Sequence, residues 1–393
     1  MVIDNGEALE SVIRHAAQFG EIDYDDIAVT VDALTDSGDV SLAPRLHEAL
    51  DRFLDEENFY GRDLIAGMLA GIEGVAALPV LLLASARDLG DDQDGLQSEI
   101  AGLLDADPEA SRRMVLELVH NAAPERRRAG LLALGSVAGS GDLELLAEAA
   151  TDADPQIRLM AIEAVPDPAG NDRAFQVLVA SLHDPDEQAR MSTIGRLGST
   201  KRPDAVAPLA AVADDPAPRV RARTAYAFAR LGSAEATPIL VRMLDDSDRH
   251  VREQALDALG SIGGQAAVDA LLAEADQDPR RRAQAAKALA KATDSDPRVA
   301  PRLMVLARDD EAAVRAATLS GLATVADTSW RWASLVAEMA NDPDPTVRQR
   351  VAVVAGHLAP NEVIEILHRL AGDPEAMVRQ VATTQLDRLS RRS

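Results

Sequence analysis

The 393-residue chain has no cysteine, only three lysines among its 40 basic residues, and 3% aromatics. Without cysteine there is no disulfide, no thiolate metal site and no cysteine nucleophile, a composition that suits a reducing compartment. With so few aromatics against 47% apolar residues, a core has to be built from Ala, Leu, Val and Ile packed between closely approaching helices. Positive charge is also short. Sixty-five acids against 40 bases give a formal charge of −25, which repels phosphate backbones and anionic membranes and disfavours non-specific nucleic-acid binding. Long apolar runs are missing as well: Val75 to Ala86 is about a dozen residues, where a membrane span needs about 20. The start, MVIDNGEALE, has neither a basic n-region nor an apolar h-region, so no signal peptide is expected. A cytoplasmic protein with no membrane insertion is the expectation.

What the chain does have is a ruler. Arg127, Arg158, Arg190, Arg221, Arg252, Arg282, Arg315, Arg348 and Arg379 follow at spacings of 31, 32, 31, 31, 30, 33, 33 and 31. Six residues before each stands Asn121, Asp152, Asp184, Asp215, Asp246, Asp276, Asp309, Asp342 or Asp373. The offset is constant while the repeat length varies, which marks a structural device in a tandem-repeat protein and overrides the two or three domains that length alone suggests.

DSDRHVREQALDALG, Asp246 to Gly260, shows how one repeat works. Asp248 can cap the next helix, and in sister repeats a proline follows (Asp154-Pro155, Asp278-Pro279, Asp344-Pro345), whose fixed φ and missing N–H suit the first helical position. Val251, Ala255, Leu256 and Leu259 form the stripe that buries one face, and Gly260 is expected to stop the helix. Ala266 to Ala275 supplies a second amphipathic helix, so each period is two antiparallel helices. Layers about 8–10 Å apart give a rod or arc on the order of 100 Å for some twelve layers.

The segments DADPQIR, DDPAPRVR, DSDRHVR and DPDPTVR, followed by Ala and, after the second and third, by Leu-Gly, resemble HEAT repeats, in particular the short bacterial type also found in phycobilisome lyases. The resemblance implies an all-α, right-handed alpha-alpha superhelix (a HEAT/armadillo-type solenoid) of about eleven to twelve helix pairs. It implies further that the turn aspartates and the arginines form a ladder between neighbouring repeats. Residues 121–393 carry the signature, with the basic tail LDRLSRRS as an end cap. Residues 38–120 read as degenerate repeats, one at Glu56 to Ala70 with Arg62 in the arginine place and one at Asp92 to Leu104 with Ser98 there. Residues 1–37 read as a capping helical hairpin, SVIRHAAQF and DDIAVTVDAL, on one continuous solenoid.

A solenoid's function lies in whatever its exposed face binds. One aspartate per arginine makes the ladder structural rather than a phosphate stripe. The seven histidines (His15, His47, His120, His183, His250, His357 and His368) include no pair three or four residues apart, so no metal site is expected. HEAT-repeat hydroxylases carry several His-Glu pairs, whereas this chain has only His47-Glu48. A HEAT-like DNA glycosylase would need a basic, aromatic-lined groove, and Trp330 and Trp332 stand together in one segment where packing is the default. No Gly-rich phosphate loop, GxSxG elbow or HExxH motif occurs, so no catalytic residue and no cofactor is assigned.

In the resembled stacking, the second helix of each repeat lines the concave surface, where positions two and five after the ladder arginine point outward. They read Met160 and Glu163, Ser192 and Gly195, Arg223 and Tyr226, Gln254 and Asp257, Gln284 and Lys287. Arg196, Arg223, Tyr226 and Arg230 form the candidate partner-binding cluster, since Arg and Tyr are enriched at binding hot spots; the competing reading is an Arg-Tyr stack that shields the wall. Gly195 is expected to open room beside Tyr226. The equivalent N-terminal positions, Leu64, Ile100, Leu103 and Leu132, are a second patch or core. A non-enzymatic scaffold that holds a protein partner is the expected function. The alternatives are a tetrapyrrole or small-molecule handling protein like the phycobilisome lyases, and an acidic immunity protein that masks a basic enzyme.

Overall fold

The computed structural model describes residues 4–18, 24–87, 93–137, 140–325, 329–357 and 360–391. Among them every regular element is helical. The chain divides into two compact units, Met1–Asp167 with Asn171–Val177, and Pro168–Gly170 with Leu178–Ser393.

The first unit contains α1 (Asn5–Ala16), α2 (Ala28–Asp36), α3 (Ala43–Asp55), α4 (Phe59–Glu73), α5 (Leu78–Ser85), α6 (Asp94–Ala106), α7 (Pro108–Val119), α8 (Pro124–Val137), α9 (Leu143–Ala149) and α10 (Pro155–Ala164), and the division falls within α11 (Asp172–Ala180). The second contains α12 (Glu187–Ser199), α13 (Val206–Ala210), α14 (Pro218–Leu231), α15 (Thr237–Met243), α16 (Arg249–Ile262), α17 (Gly264–Glu274), α18 (Pro279–Lys291), α19 (Val299–Leu306), α20 (Ala312–Leu322), α21 (Ser329–Met339), α22 (Pro345–Ala355), α23 (Pro360–Leu370) and α24 (Ala376–Ser390).

Proline and aspartate start these helices as the repeat pattern requires. Asp154, Asp248, Asp278 and Asp344 each accept a hydrogen bond from a backbone N–H of the first turn. Their ends are less legible. Helix α16 runs past Gly260 to Ile262 and stops at Gly263, whose φ is 65°. Gly260 serves packing instead: a Cβ there would stand 2.3 Å from the carbonyl oxygen of Ala288. Gly321 in α20 meets α18 from the other side, where a Cβ on it would stand 2.8 Å from Ala290 Cβ. Small residues thus bring α16, α18 and α20 into contact at backbone distance, and this layer of second helices, α12 to α24 in even steps, is the closely packed one.

The ladder has a defined geometry. Arg221 donates through Nε and Nη2 to the Asp246 carboxylate of the next repeat, at 2.7 and 2.8 Å. Its Nη1 turns back to the carbonyls of its own turn, Asp215 at 2.9 Å and Pro216 at 3.2 Å. Asp246 in turn accepts the N–H of Asp248 at 2.8 Å, so one residue shapes its own turn and receives the preceding repeat. Arg190–Asp215, Arg282–Asp309, Arg315–Asp342 and Arg348–Asp373 repeat the bidentate pair, and Arg127 lies 3.3 Å from Asp152. Arg158 and Arg379 donate to the carbonyls of Asp152 and Asp373, at 2.9 and 2.7 Å, and Asp184 accepts the N–H of Asp186.

One rung departs from the expected pattern. Among the described residues Arg252 meets no carboxylate and keeps only the carbonyls of Asp246 and Ser247, at 2.6 and 3.0 Å. Asp276 is exposed and pairs with Arg302 instead. The reason is register. Twenty-four residues separate Arg252 from Asp276, whereas every other ladder arginine stands at least 25 before the next aspartate.

The first unit holds the degenerate copies. Arg62 is 1% exposed, with Nε donating to Asp63 at 2.8 Å, while Glu56 pairs with Arg52 at 3.6 Å. The apolar stretch here is longer than the run from Val75 suggests. Phe59–Ser85 is long and apolar enough to cross a membrane by length and composition. Gly74, at φ 57° and ψ −137°, breaks it into α4 and α5, of 15 and 8 residues, each below the roughly 20 a span needs. Ile65, Leu69, Leu78 and Leu81 of these two helices are fully buried in the unit.

Candidate interaction surface

In each second helix, residues two before and two, five and nine after the ladder arginine fall at spacings of four, three and four, which places them on one face. In α14 these are Arg219, Arg223, Tyr226 and Arg230; in α18 they are Arg280, Gln284, Lys287 and Lys291. Between them α16 presents His250, Gln254 and Asp257.

An open groove of about 350 Å³ lies over α14. Arg219, Ala222, Arg223 and Tyr226 form its floor, with Met191 of α12 on one side and His250 and Gln254 of α16 on the other. The Arg223 guanidinium carbon sits 5.5 Å from the centre of the Tyr226 ring, a cation–π contact, and Tyr226 remains 43% exposed. Gly195 makes the room, but for a different neighbour than expected. A Cβ there would stand 2.2 Å from Arg223 Nη2, so the missing side chain seats the guanidinium rather than the phenol.

The charges of the groove are unevenly matched. Arg219 is tied to Glu187 at 3.2 Å, whereas Arg223 meets no carboxylate among the described residues, on a chain whose formal charge is −25. Of the four residues proposed from the sequence, Arg223 and Tyr226 share the groove. Arg196 is half-buried in α12 beside Gly195, and Arg230 is exposed one turn beyond Tyr226, its carbonyl accepting Lys201 Nζ at 2.6 Å. Neither is among the groove's walls. Sequence reasoning missed Arg219 and His250, both two residues before a ladder arginine, where helical periodicity already places them on the same face.

The other candidates fall elsewhere. Ile100 and Leu103 are core residues, Leu132 is 46% exposed, and half-buried Leu64 lines a groove in the first unit with Asp32, Asp36 and Glu99. His47 Nε2 lies 2.9 Å from Glu73, and the Nδ1 atoms of His120 and His357 contact the carbonyls of Leu116 and Val353. Among the described residues no three His, Asp or Glu side chains converge on a metal position. Trp332 on α21 is 2% exposed and is a packing residue; the side chain of Trp330 lies outside the described residues.

Stacked helix pairs bound by an Asp/Arg ladder, with an open groove on the layer of second helices, define an α-solenoid. The model of HEAT repeats matches residues 143–227, 209–290 and 332–391, more than half of the chain. The protein belongs to the HEAT-repeat family. No curated protein matches the sequence. Among solved structures it is similar to yeast importin-beta (Kap95p), with a TM-score of 0.65 at 14% identity over 98% of this chain and 61% of the importin chain. It is also similar to Kap121p, at 0.58 and 15% over 98% of this chain and 49% of that one. The chain therefore spans about half to three fifths of the length of these structures, and at such identities the likeness is one of fold.

Proposed function

We propose that the protein is a non-enzymatic interaction scaffold that holds a protein partner on the groove over α14. The observation that carries this reading is Arg223: a guanidinium that meets no carboxylate among the described residues, stacked on a half-exposed tyrosine in an open groove. Arg and Tyr are the side chains that most often anchor interfaces, and a preformed wall of packed helices loses little conformational entropy on binding. The same fold carries protein partners in the relatives, since solved structures of Kap95p include a complex with Nup1 and one concerning RanGDP. A tetrapyrrole reading would call for aromatic walls, and the groove has one aromatic, Tyr226.

The test is site-directed photo-crosslinking in the native cell, with the crosslinking residue placed at Gln254 in the groove and, as a control, at Val305 on α19. A protein species joined through position 254 alone is expected, and it should be lost when Arg223→Glu is added. Gly195→Ala should weaken it as well, because the new methyl displaces the guanidinium while the helix gains propensity. Equal crosslinking at both positions, or a species that survives Arg223→Glu with helicity intact, would refute the assignment.

A further inference from the structure

Next to the α14 groove, a second open groove of about 440 Å³ lies over α18. Helix α16 is the wall between them, giving His250 and Gln254 to the first and Arg249 and Glu253 to the second. The second groove has its own charge imbalance. Its one carboxylate, Glu253, is already held by Arg249 and by the Gln284 amide, both at 2.7 Å. Arg280 and Lys287 meet no carboxylate among the described residues. Across from them the wall is α20, where Ala313 and Ala317 present only methyl groups. The cleft is therefore cationic along α18 and bordered by small side chains along α20, which leaves room for an extended backbone.

Two cationic strips thus stand on α14 and α18, separated by one helix. Two interaxial steps of about 8–10 Å put them roughly 16–20 Å apart. An extended chain at about 3.3–3.6 Å per residue covers that distance in about five or six residues. We infer that the α18 groove is a second subsite and that both grooves together receive one extended acidic peptide segment, with carboxylates about five or six residues apart meeting Arg223 at one end and Arg280 and Lys287 at the other. This inference rests on the reading of the groove face as the partner surface and specifies what part of the partner lies there. Charge complementarity argues for a peptide over a nucleic acid: the cations are few and local, and the remaining acidic surface repels a long polyphosphate.

The experiment is a fluorescence-anisotropy titration of the full chain at low salt with three labelled peptides and one oligonucleotide. One peptide carries two Glu-Glu pairs separated by four Gly/Ser residues, the second carries a single pair, and the third has Gln for every Glu; the oligonucleotide is a single-stranded 20-mer. The two-pair peptide is expected to bind at least tenfold more tightly than the single-pair peptide, because the second contact is intramolecular. Arg280→Glu with Lys287→Glu should bring it down to the single-pair level, as should Arg223→Glu, and the combined variant should bind neither. These are exposed or half-buried positions, and unchanged circular dichroism would establish that each variant is folded. Equal affinity for one and two pairs, no effect of the α18 variant, binding of the Gln peptide, or tighter binding of the oligonucleotide would each overturn the inference. If the acidic peptides fail while crosslinking at Gln254 still depends on Arg223, only this inference falls. Failure of both removes the groove as a partner site.

Discussion

Arginine has two opposite fates in this chain, decided by what stands opposite it. Arg221 donates two hydrogen bonds to the Asp246 carboxylate and one each to the carbonyls of Asp215 and Pro216, all within 3.2 Å, so most of its hydrogen-bonding capacity is used inside the protein. Arg223, two residues on, points the other way and stacks on a tyrosine. The ladder is where single residues matter for stability. Asp246→Ala removes charge-assisted bonds from a largely buried arginine and unties the N–H of Asp248, and is expected to cost about 2–4 kcal/mol. Asp276→Ala occupies the same place in the repeat yet removes only an exposed ion pair, with a cost below about 1 kcal/mol. Urea midpoints of the two variants check this. Equal losses would mean that the repeat position, rather than the bonds, sets the cost.

At the scale of the element, α10, α18 and α22 are held at their starts by an aspartate cap and a proline, α12 and α16 by an aspartate cap alone and α14 by a proline alone, while small residues along α16, α18 and α20 admit their neighbours. Sequence periodicity locates these helices well. It misplaces the end of α16, because a glycine in a helical pattern reads the same whether it ends the helix or clears space for a neighbour, and only the position of Ala288 distinguishes the two. The ladder that joins successive elements also makes them sensitive to acid. Arg221 holds the Asp246 carboxyl below its ordinary value of 3.8, and Arg348 does the same for Asp373. At Asp309 burial pushes the carboxyl up, but the Arg282 bonds and the Glu311 N–H outweigh it, and it too ends lower. Lowered folded-state values mean that the contribution is complete above the ordinary carboxylate range and is lost as pH falls below about 3.8 through the depressed values. The stability gap between the wild type and Asp246→Asn, measured by urea unfolding from pH 7 to pH 2, should stay constant to about pH 5 and shrink toward zero in stronger acid. A gap that persists at the lowest pH would show that the pair is not the source.

At the scale of the whole molecule, the formal charge of −25 and the cationic grooves act on a partner at different ranges. The bulk charge sets a repulsive background for anything acidic, while Arg223, Arg280 and Lys287 attract at contact distance. Salt screens both, with a Debye length falling from about 10 Å at 0.1 M to about 3 Å at 1 M. Binding of the acidic two-pair peptide should therefore weaken between about 50 mM and 500 mM salt, and the decrease should be smaller in Arg280→Glu with Lys287→Glu, which has lost one of the charged contacts. Anisotropy titrations at several salt concentrations read this directly; a peptide affinity independent of salt would place the binding on apolar contacts instead.

The spacing of nine arginines and their partners, a one-dimensional signal, is enough to establish the repeat and the helix pair, because each repeat packs only on its neighbours and local sequence dictates local contacts; the turn motifs add the resemblance to HEAT repeats that the family match bears out. The outward face of each second helix was legible for the same reason, as 3.6-residue periodicity. What the sequence could not decide is which of these residues are matched. That Arg252 meets no carboxylate among the described residues, that Gly195 seats Arg223, that the Gln284 amide takes up Glu253, and that Arg280 and Lys287 meet no carboxylate among the described residues all depend on distances between residues about 24 to 31 positions apart. Those distances are set by how closely successive helices approach, a quantity that tertiary packing alone determines.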